Sequence, residues 1–486
     1  MQLCSEACWQ CESRFVIICT MKRKIYQKLL DWKAKYANKY ALLIEGARRV
    51  GKSYIVEEFA KTEYEHHLII DFAKASPAVK RVFDDYLDDL DEFFLQLELR
   101  THVHLVPRKS LIVFDEVQRF PRAREAVKYL VADGRFHYIE TGSLISIKKN
   151  VDGIIIPSEE MRLQMHPMDF EEFLEATGRD GMMPLIRKRF EQLKPMGQTD
   201  HRMAVEAFRQ YLVVGGMPQS VAAFADSRDM AGSEVAKRMI LRLYGDDIGK
   251  FAGRLKDKVR QIWRSLPAAL GRTVKQFNSG LVGENVRMRE LLAPFNWLEE
   301  SMTVNIARNV SDPNVGFAMN ADVGSLKCYM ADTGLLVSLA FDDSSLGADG
   351  IAWKILTGKI EVNKGMLVEN VVAQMLKASG RSLYFYCNND RENAENRMEV
   401  DFLLSKGTVG SRRNVIAVEV KSRSGYTTVS LDRFRRKFSS YMAQGIVIHP
   451  GDVAVSDGVV HLPLYMTGLL GENGIATGNE NLDEKR

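Results

Sequence analysis

Eight consecutive residues, Gly46-Ala47-Arg48-Arg49-Val50-Gly51-Lys52-Ser53, satisfy every fixed position of the pattern G-x-x-x-x-G-K-[ST]. The chemistry of such a loop is electrostatic. Its backbone N–H groups, and the N-terminus of a helix that follows it, present partial positive charge to phosphate. Gly46 and Gly51 permit backbone angles and close approaches that a side chain would block. Lys52 is expected to reach the β- and γ-phosphates of a nucleotide, and the Ser53 hydroxyl to ligate Mg²⁺.

A second motif supplies acids. Leu111-Ile112-Val113-Phe114 is apolar and ends in Asp115-Glu116. Asp115 is expected to hold the magnesium through water, and Glu116 to orient and polarise an attacking water. Paired acids point to hydrolysis rather than to transfer onto a small molecule. His137-Tyr138-Ile139-Glu140 ends at Thr141-Gly142-Ser143. A hydroxyl of Thr141 or Ser143 could sense the γ-phosphate or cap the next helix; both readings stay open. Asn363-Lys364 is followed by Gly365-Met366 rather than by the acid of a guanine signature, so ATP is favoured over GTP.

A third group of charged residues lies near the C-terminus. Asp401 sits in Met398–Leu404, and Glu419 and Lys421 sit in Val415–Lys421. Strand side chains alternate with period two, so Glu419 and Lys421 share a face. With Asp401 they make the acid…acid-x-lysine arrangement of metal-dependent nucleases. Asp401 and Glu419 would hold Mg²⁺, Lys421 would orient water or stabilise phosphate, and Glu369, on a helix at 366–372, could add a further acid.

The elements that must carry these residues follow from the apolar runs. Ala41–Glu45, His67–Asp71, Leu111–Asp115 and His137–Glu140 read as buried strands, and the residues after Ser53 read as a helix. His102 and His104 flank Val103 and would share one strand face, but no third metal ligand lies nearby. The acidic run from Asp84 to Glu92 reads as an amphipathic helix. Tyr211–Pro218 reads as a helix end, a glycine break and a proline restart. Lys250–Arg289 holds ten Lys/Arg against Asp257 and Glu284. Helical spacing there, followed by the strand-like Thr303-Val304-Asn305-Ile306, suggests a winged helix-turn-helix able to contact DNA.

Composition excludes other classes. At 46% hydrophobic and 27% charged residues, the chain is neither disordered throughout nor a collagen. It contains no stretch of 18 apolar residues, so no membrane span is expected. The net charge of +4 is too mild to indicate a nucleic-acid binder by itself. Cys4, Cys8, Cys11 and Cys19 crowd the first twenty residues, and only Cys328 and Cys387 follow. That is not a disulfide framework, and it favours a reducing cytoplasm. The spacing of Cys4, Cys8 and Cys11 matches an iron–sulfur loop, but nothing downstream fits that chemistry. Residues 1–20 are read as a disordered extension.

The assembled segments resemble those of bacterial and archaeal AAA-type ATPases that carry a C-terminal domain of unknown function. The resemblance covers about residues 21–466. It rests on Gly46–Ser53, Phe114–Gln118, Thr141–Ser143, Gly215–Pro218, Tyr329–Leu335 and Glu399–Lys421. It implies a P-loop ATPase, a winged-helix linker and a restriction-endonuclease-like tail, and it implies no substrate. Where many relatives have a Gly-Arg pair, this chain reads Ile156-Pro157-Ser158-Glu159-Glu160-Met161, so no arginine finger is nominated.

The expected architecture is therefore α/β: a P-loop NTPase parallel sheet in 21–165, a helical and winged-helix domain in 166–320, an α/β restriction-endonuclease-like domain in 321–470, and a disordered tail in 471–486. The expected function is ATP hydrolysis by a switch or motor whose middle domain and tail engage nucleic acid, with metal-dependent cleavage as a further step. The alternative is a signalling ATPase whose inactive nuclease-like domain binds protein. Oligomeric state stays open, a homo-oligomer included.

Overall fold

A computed structural model describes residues 22–143, 158–314, 316–341, 347–357, 359, 364–406 and 413–471. The expectations for residues 1–20 and for 472–486 lie outside these residues, as does Ile156-Pro157. The described chain forms two compact units, residues 22–166 with 300–302, and residues 167–299 with 303–471.

The first unit contains α1 (Ile25–Lys35), β1 (Ala41–Gly46), α2 (Lys52–Glu63), β2 (His66–Asp71), α3 (Pro77–Asp85), α4 (Leu90–Thr101), β3 (Ser110–Asp115), α5 (Pro121–Asp133), β4 (His137–Gly142) and β5 (Glu160–Met165). The strands form one sheet in the order β2-β3-β4-β1-β5, and every pairing is parallel. Helices cover both faces, which is why β1 and β3 read as unbroken apolar runs. Leu43, Phe83, Phe114 and Tyr138 pack on one face, and Leu29, Ile44, Phe59 and Ile139 on the other. The register sets Ile44 opposite Thr141 and Phe114 opposite Glu140. The phosphate loop, the acid pair and Thr141 thus emerge at one edge, where open α/β sheets bind ligands.

Two expectations fail here. His102 is not on a strand but is the left-handed C-cap of α4, with φ of 54°. The acidic run is not one helix. It spans the end of α3 and the start of α4, where the Asp89 carboxylate accepts from the N–H groups of Asp91 and Glu92. Acids at a helix N-terminus complement its dipole, so the run starts a helix instead of continuing one.

The second unit begins with α6 (Phe170–Ala176), α7 (Met182–Gln192), α8 (Gln198–Val214), α9 (Pro218–Ser227), α10 (Met230–Phe251), α11 (Lys256–Leu270) and α12 (Leu292–Glu300). It continues with β6 (Val304–Val310), β7 (Ala321–Met330), α13 (Thr333–Ala340), α14 (Gly347–Leu356), α15 (Lys364–Ala378), β8 (Tyr384–Asn388), β9 (Met398–Ser405), β10 (Val415–Val420), α16 (Val429–Lys437), β11 (Met442–His449), β12 (Ala454–Ser456) and β13 (Val459–Pro463). The eight strands form one mixed sheet, β12-β13-β11-β10-β9-β8-β6-β7.

The winged-helix expectation is corrected by β6. Its first four residues are buried, and it pairs antiparallel with β7 and parallel with β8. A strand so enclosed belongs to the sheet core rather than to a wing. Among the described residues, 167–303 contain only helices, turns and loops. The expected border at 320/321 falls inside the β6–β7 pair.

A buried hydrogen-bond knot ties the helices of this unit to its sheet. Asp332, fully buried, accepts from Gly216 N at 2.5 Å and from Leu335 N at 2.9 Å. Gln374 on α15 accepts from Thr333 N and donates to the Tyr211 hydroxyl on α8. A Cβ on Gly215 would stand 2.3 Å from an Asp332 oxygen, and one on Gly334 would stand 2.6 Å from Gly215 N. Two of the segments that carried the family resemblance therefore meet here, and glycine is required for them to do so.

Candidate functional site

The candidate nucleotide site is assembled from three strand ends. Gly51 opens α2 with φ of 101°, a conformation that favours glycine. Gly46 is needed for a different reason, since a Cβ there would lie 2.6 Å from the Met165 carbonyl on β5. Arg23 holds the loop from outside by donating to the carbonyls of Val50 at 3.0 Å and His166 at 2.7 Å. The Lys52 ammonium donates to the Gly46 and Ala47 carbonyls, at 3.0 and 3.1 Å. Burial pushes its pKa down to about 8, against the pull of Glu116 and Asp115.

The Ser53 hydroxyl donates to Asp115 Oδ1 at 2.9 Å, and the Thr141 hydroxyl donates to the same oxygen. Hydroxyl and carboxylate oxygens of this kind suit a hard divalent ion, so the residues fit Mg²⁺. Glu116 has a left-handed backbone, φ 54°, which is unfavourable for a non-glycine residue and aims it away from the strand direction. Its N–H donates to Thr141 Oγ1 at 3.4 Å, and its carboxylate accepts from Gln118 Nε2 at 2.6 Å. Thr141 is thus engaged with the acid pair, whereas the segment after Ser143 lies outside the described residues. Sequence reasoning missed Arg23 and Gln118. The only signal for Gln118 was its place in the segment Phe114–Gln118.

The C-terminal group is arranged differently from expectation. Glu369 on α15 and Asp401 on β9 do come together, but around Lys327 of β7. Its ammonium lies 3.2 Å from Glu369, 2.7 Å from Glu399 and 3.3 Å from Asp401. Tyr329 donates to Glu369 at 2.6 Å, and Lys275 pairs with the other Glu369 oxygen. Burial alone would raise the Glu369 pKa, but Lys327 and Lys275 outweigh it and hold the group at about 2. Burial, with the nearby Glu369 charge, raises Asp401.

Glu419 is not part of this contact set. Its Oε1 pairs with Lys421 at 2.5 Å, its Oε2 is buried without a hydrogen bond, and burial lifts its pKa to about 7. Among the described residues, no three Asp, Glu, His or Cys side chains are grouped to hold a metal ion. The expected second metal site of Glu369, Asp401 and Glu419 does not fit a metal as arranged.

Residues 38–174 match the family model described as an AAA domain. Over these residues the chain is similar to AAA domains. Two further models match the rest: a domain of unknown function (DUF8612) over 205–346 and another (DUF4143) over 364–466. The AAA domain thus coincides with the parallel sheet, and the 205–346 match runs from α8 through β6 and β7. No curated protein matches. Among solved structures, the chain is similar to the Walker-type ATPase PABY2304 of Pyrococcus abyssi, with 16% identity and a TM-score of 0.39, over 66% of this chain and 95% of that one. It is also similar to the Aeropyrum pernix ORC1 protein, solved in complex with DNA, with 10% identity and a TM-score of 0.26, over 68% of this chain and 96% of that one. No described helix is long and apolar enough to cross a membrane.

Proposed function

We propose that the AAA domain binds Mg-ATP and hydrolyses it. The observation that carries this reading is the convergence of Ser53 and Thr141 on one oxygen of Asp115, beside Lys52 and Glu116. The loop N–H groups and the start of α2 bind phosphate oxygens, and Lys52 turns from the loop carbonyls toward the β- and γ-phosphates. Ser53 and Asp115 would hold Mg²⁺, which supplies charge that offsets the triphosphate. Glu116 orients water and takes up its proton, while Gln118 and Thr141 fix where the carboxylate points. Thr141 is the proposed sensor of nucleotide state. The test is steady-state ATP turnover in wild type, Lys52→Ala and Glu116→Gln. Turnover lost in both, with ATP binding kept in Glu116→Gln, supports the reading; turnover at the wild-type level in both removes it.

The second part of the proposal is contact with nucleic acid through 250–289. Six of its ten basic residues, Lys250, Arg254, Arg264, Arg272, Arg287 and Arg289, are exposed. Among the described residues, Lys258 pairs with Glu290 and Lys275 with Glu369. Exposed basic groups on helices and turns suit a phosphate backbone without requiring a wing. Cleavage is not proposed, because the acids of the tail do not fit a metal. A nuclease-like domain retained for binding is the reading that Lys327 favours.

A further inference from the structure

The acid cluster of the second unit already contains a cation. Lys327 has no exposed surface, and its ammonium faces three carboxylates, from α15 and from two same-face positions of β9. A buried ammonium is costly unless it is paired and hydrogen-bonded, and here every contact that would make it tolerable is present. The oxygens of the two more buried carboxylates, Glu369 and Asp401, are equally committed. Glu369 Oε1 receives Lys327 and Tyr329, and Oε2 receives Lys275. Asp401 Oδ1 faces Lys327, and Oδ2 accepts from Val420 N at 2.9 Å. A divalent ion needs carboxylate oxygens that are free to turn toward it. None of the four oxygens of Glu369 and Asp401 is.

We propose that Lys327 is the resident cation of this cluster, standing where a nuclease-like site would take its metal, and that the folded domain therefore excludes divalent ions there. The Lys275–Glu369 contact extends the network to the basic segment 250–289, so the constellation acts as an internal ion-pair lock instead of a catalytic centre. This inference is independent of the nucleotide site.

The test uses the full-length chain without nucleotide. Mn²⁺ binding is counted by electron paramagnetic resonance in wild type and Asp401→Asn. The melting temperature is read with and without Mn²⁺ in wild type and Lys327→Met, a change that keeps side-chain length while removing the charge. The expected result is the same Mn²⁺ count in wild type and Asp401→Asn, with Mn²⁺ raising the melting temperature of Lys327→Met by about 2 °C or more and leaving wild type nearly unmoved. An ion held by wild type and lost in Asp401→Asn overturns the proposal. So does a Mn²⁺-induced rise that is equal in wild type and Lys327→Met, or absent from both. If Lys327→Met does not fold, the comparison of wild type with Asp401→Asn decides alone.

Discussion

Ser53 Oγ lies 2.9 Å from Asp115 Oδ1 although 62 residues separate the two in sequence. The contact exists because β1 and β3 flank β4 in one parallel sheet, so the loop after β1 and the end of β3 open at the same edge. Removing the Asp115 charge should therefore affect the metal more than the nucleotide. Asp115→Asn is expected to raise the Mg²⁺ concentration needed for turnover and to cut turnover by about 100-fold or more, with Mg²⁺-free ATP affinity little changed. Unchanged Mg²⁺ dependence of turnover would count against the assignment.

Gln118 should matter for rate rather than affinity. It donates to Glu116 at 2.6 Å, so Gln118→Ala leaves that carboxylate without its guide. The expected outcome is a fall in kcat with ATP affinity preserved. A rise in KM alone would place Gln118 in binding instead.

Burial pushes the Lys52 pKa from 10.5 to about 8. Its folded value lies below its unfolded value, so the unfolded chain binds more protons between pH 8 and 10.5, and the nucleotide-free protein gains stability as pH rises through that window. A triphosphate beside Lys52 favours the charged form. Binding of Mg-ATP at pH 8 should thus take up about half a proton. Calorimetry in buffers of different ionisation enthalpy measures this; the uptake should vanish in Lys52→Met.

Glu419 works in the opposite sense. Burial lifts its pKa from 4.5 to about 7 against Lys421, so the folded state binds the extra proton and stability declines as pH rises from 4.5 to 7. Glu419→Gln should remove that decline and stabilise the protein above pH 7 by at most about 3 kcal/mol. Denaturant unfolding at pH 5 and pH 8 checks the sign. Destabilisation at pH 8 would mean that the Lys421 pair outweighs burial.

Gly46→Ala would press a methyl group against the Met165 carbonyl at 2.6 Å. Backbone cannot swing aside as a side chain can, so a loss of about 1–3 kcal/mol is expected together with weaker nucleotide binding. An unchanged melting temperature would show that β5 can yield.

The strands β1, β3 and β4 were legible in sequence because β1 and β3 are largely apolar runs and all three lead into the polar residues of the candidate site. The sequence hid β5. Glu160-Met161-Arg162-Leu163-Gln164-Met165 alternates polar and apolar residues, as suits its place at the sheet edge, but nothing in that pattern reveals that the Glu160 side chain is covered and paired with Arg124 on α5 at 2.8 Å. It also hid Lys327, since one lysine in Ser325-Leu326-Lys327-Cys328 reads as a wet strand face until β9 and α15 close over it. Asp401, Glu419 and Lys421 carried a recognisable spacing, but spacing cannot reveal which cation a carboxylate already holds. Val304–Ile306 was rightly read as strand, yet its partners β7 and β8 lie in later sequence, so its sheet was not foreseeable from the helices before it.

The central claim is that the loop from Gly46 to Ser53 grips a triphosphate whose metal lies beside Asp115. Calorimetric titration of Mg-ATP into the full-length protein tests it most directly. Saturable binding near one ATP per chain, abolished in Lys52→Ala and weakened in Asp115→Asn only when Mg²⁺ is present, is the predicted result. Absence of binding heat in wild type across several temperatures, or equal binding in wild type and Lys52→Ala, would contradict it.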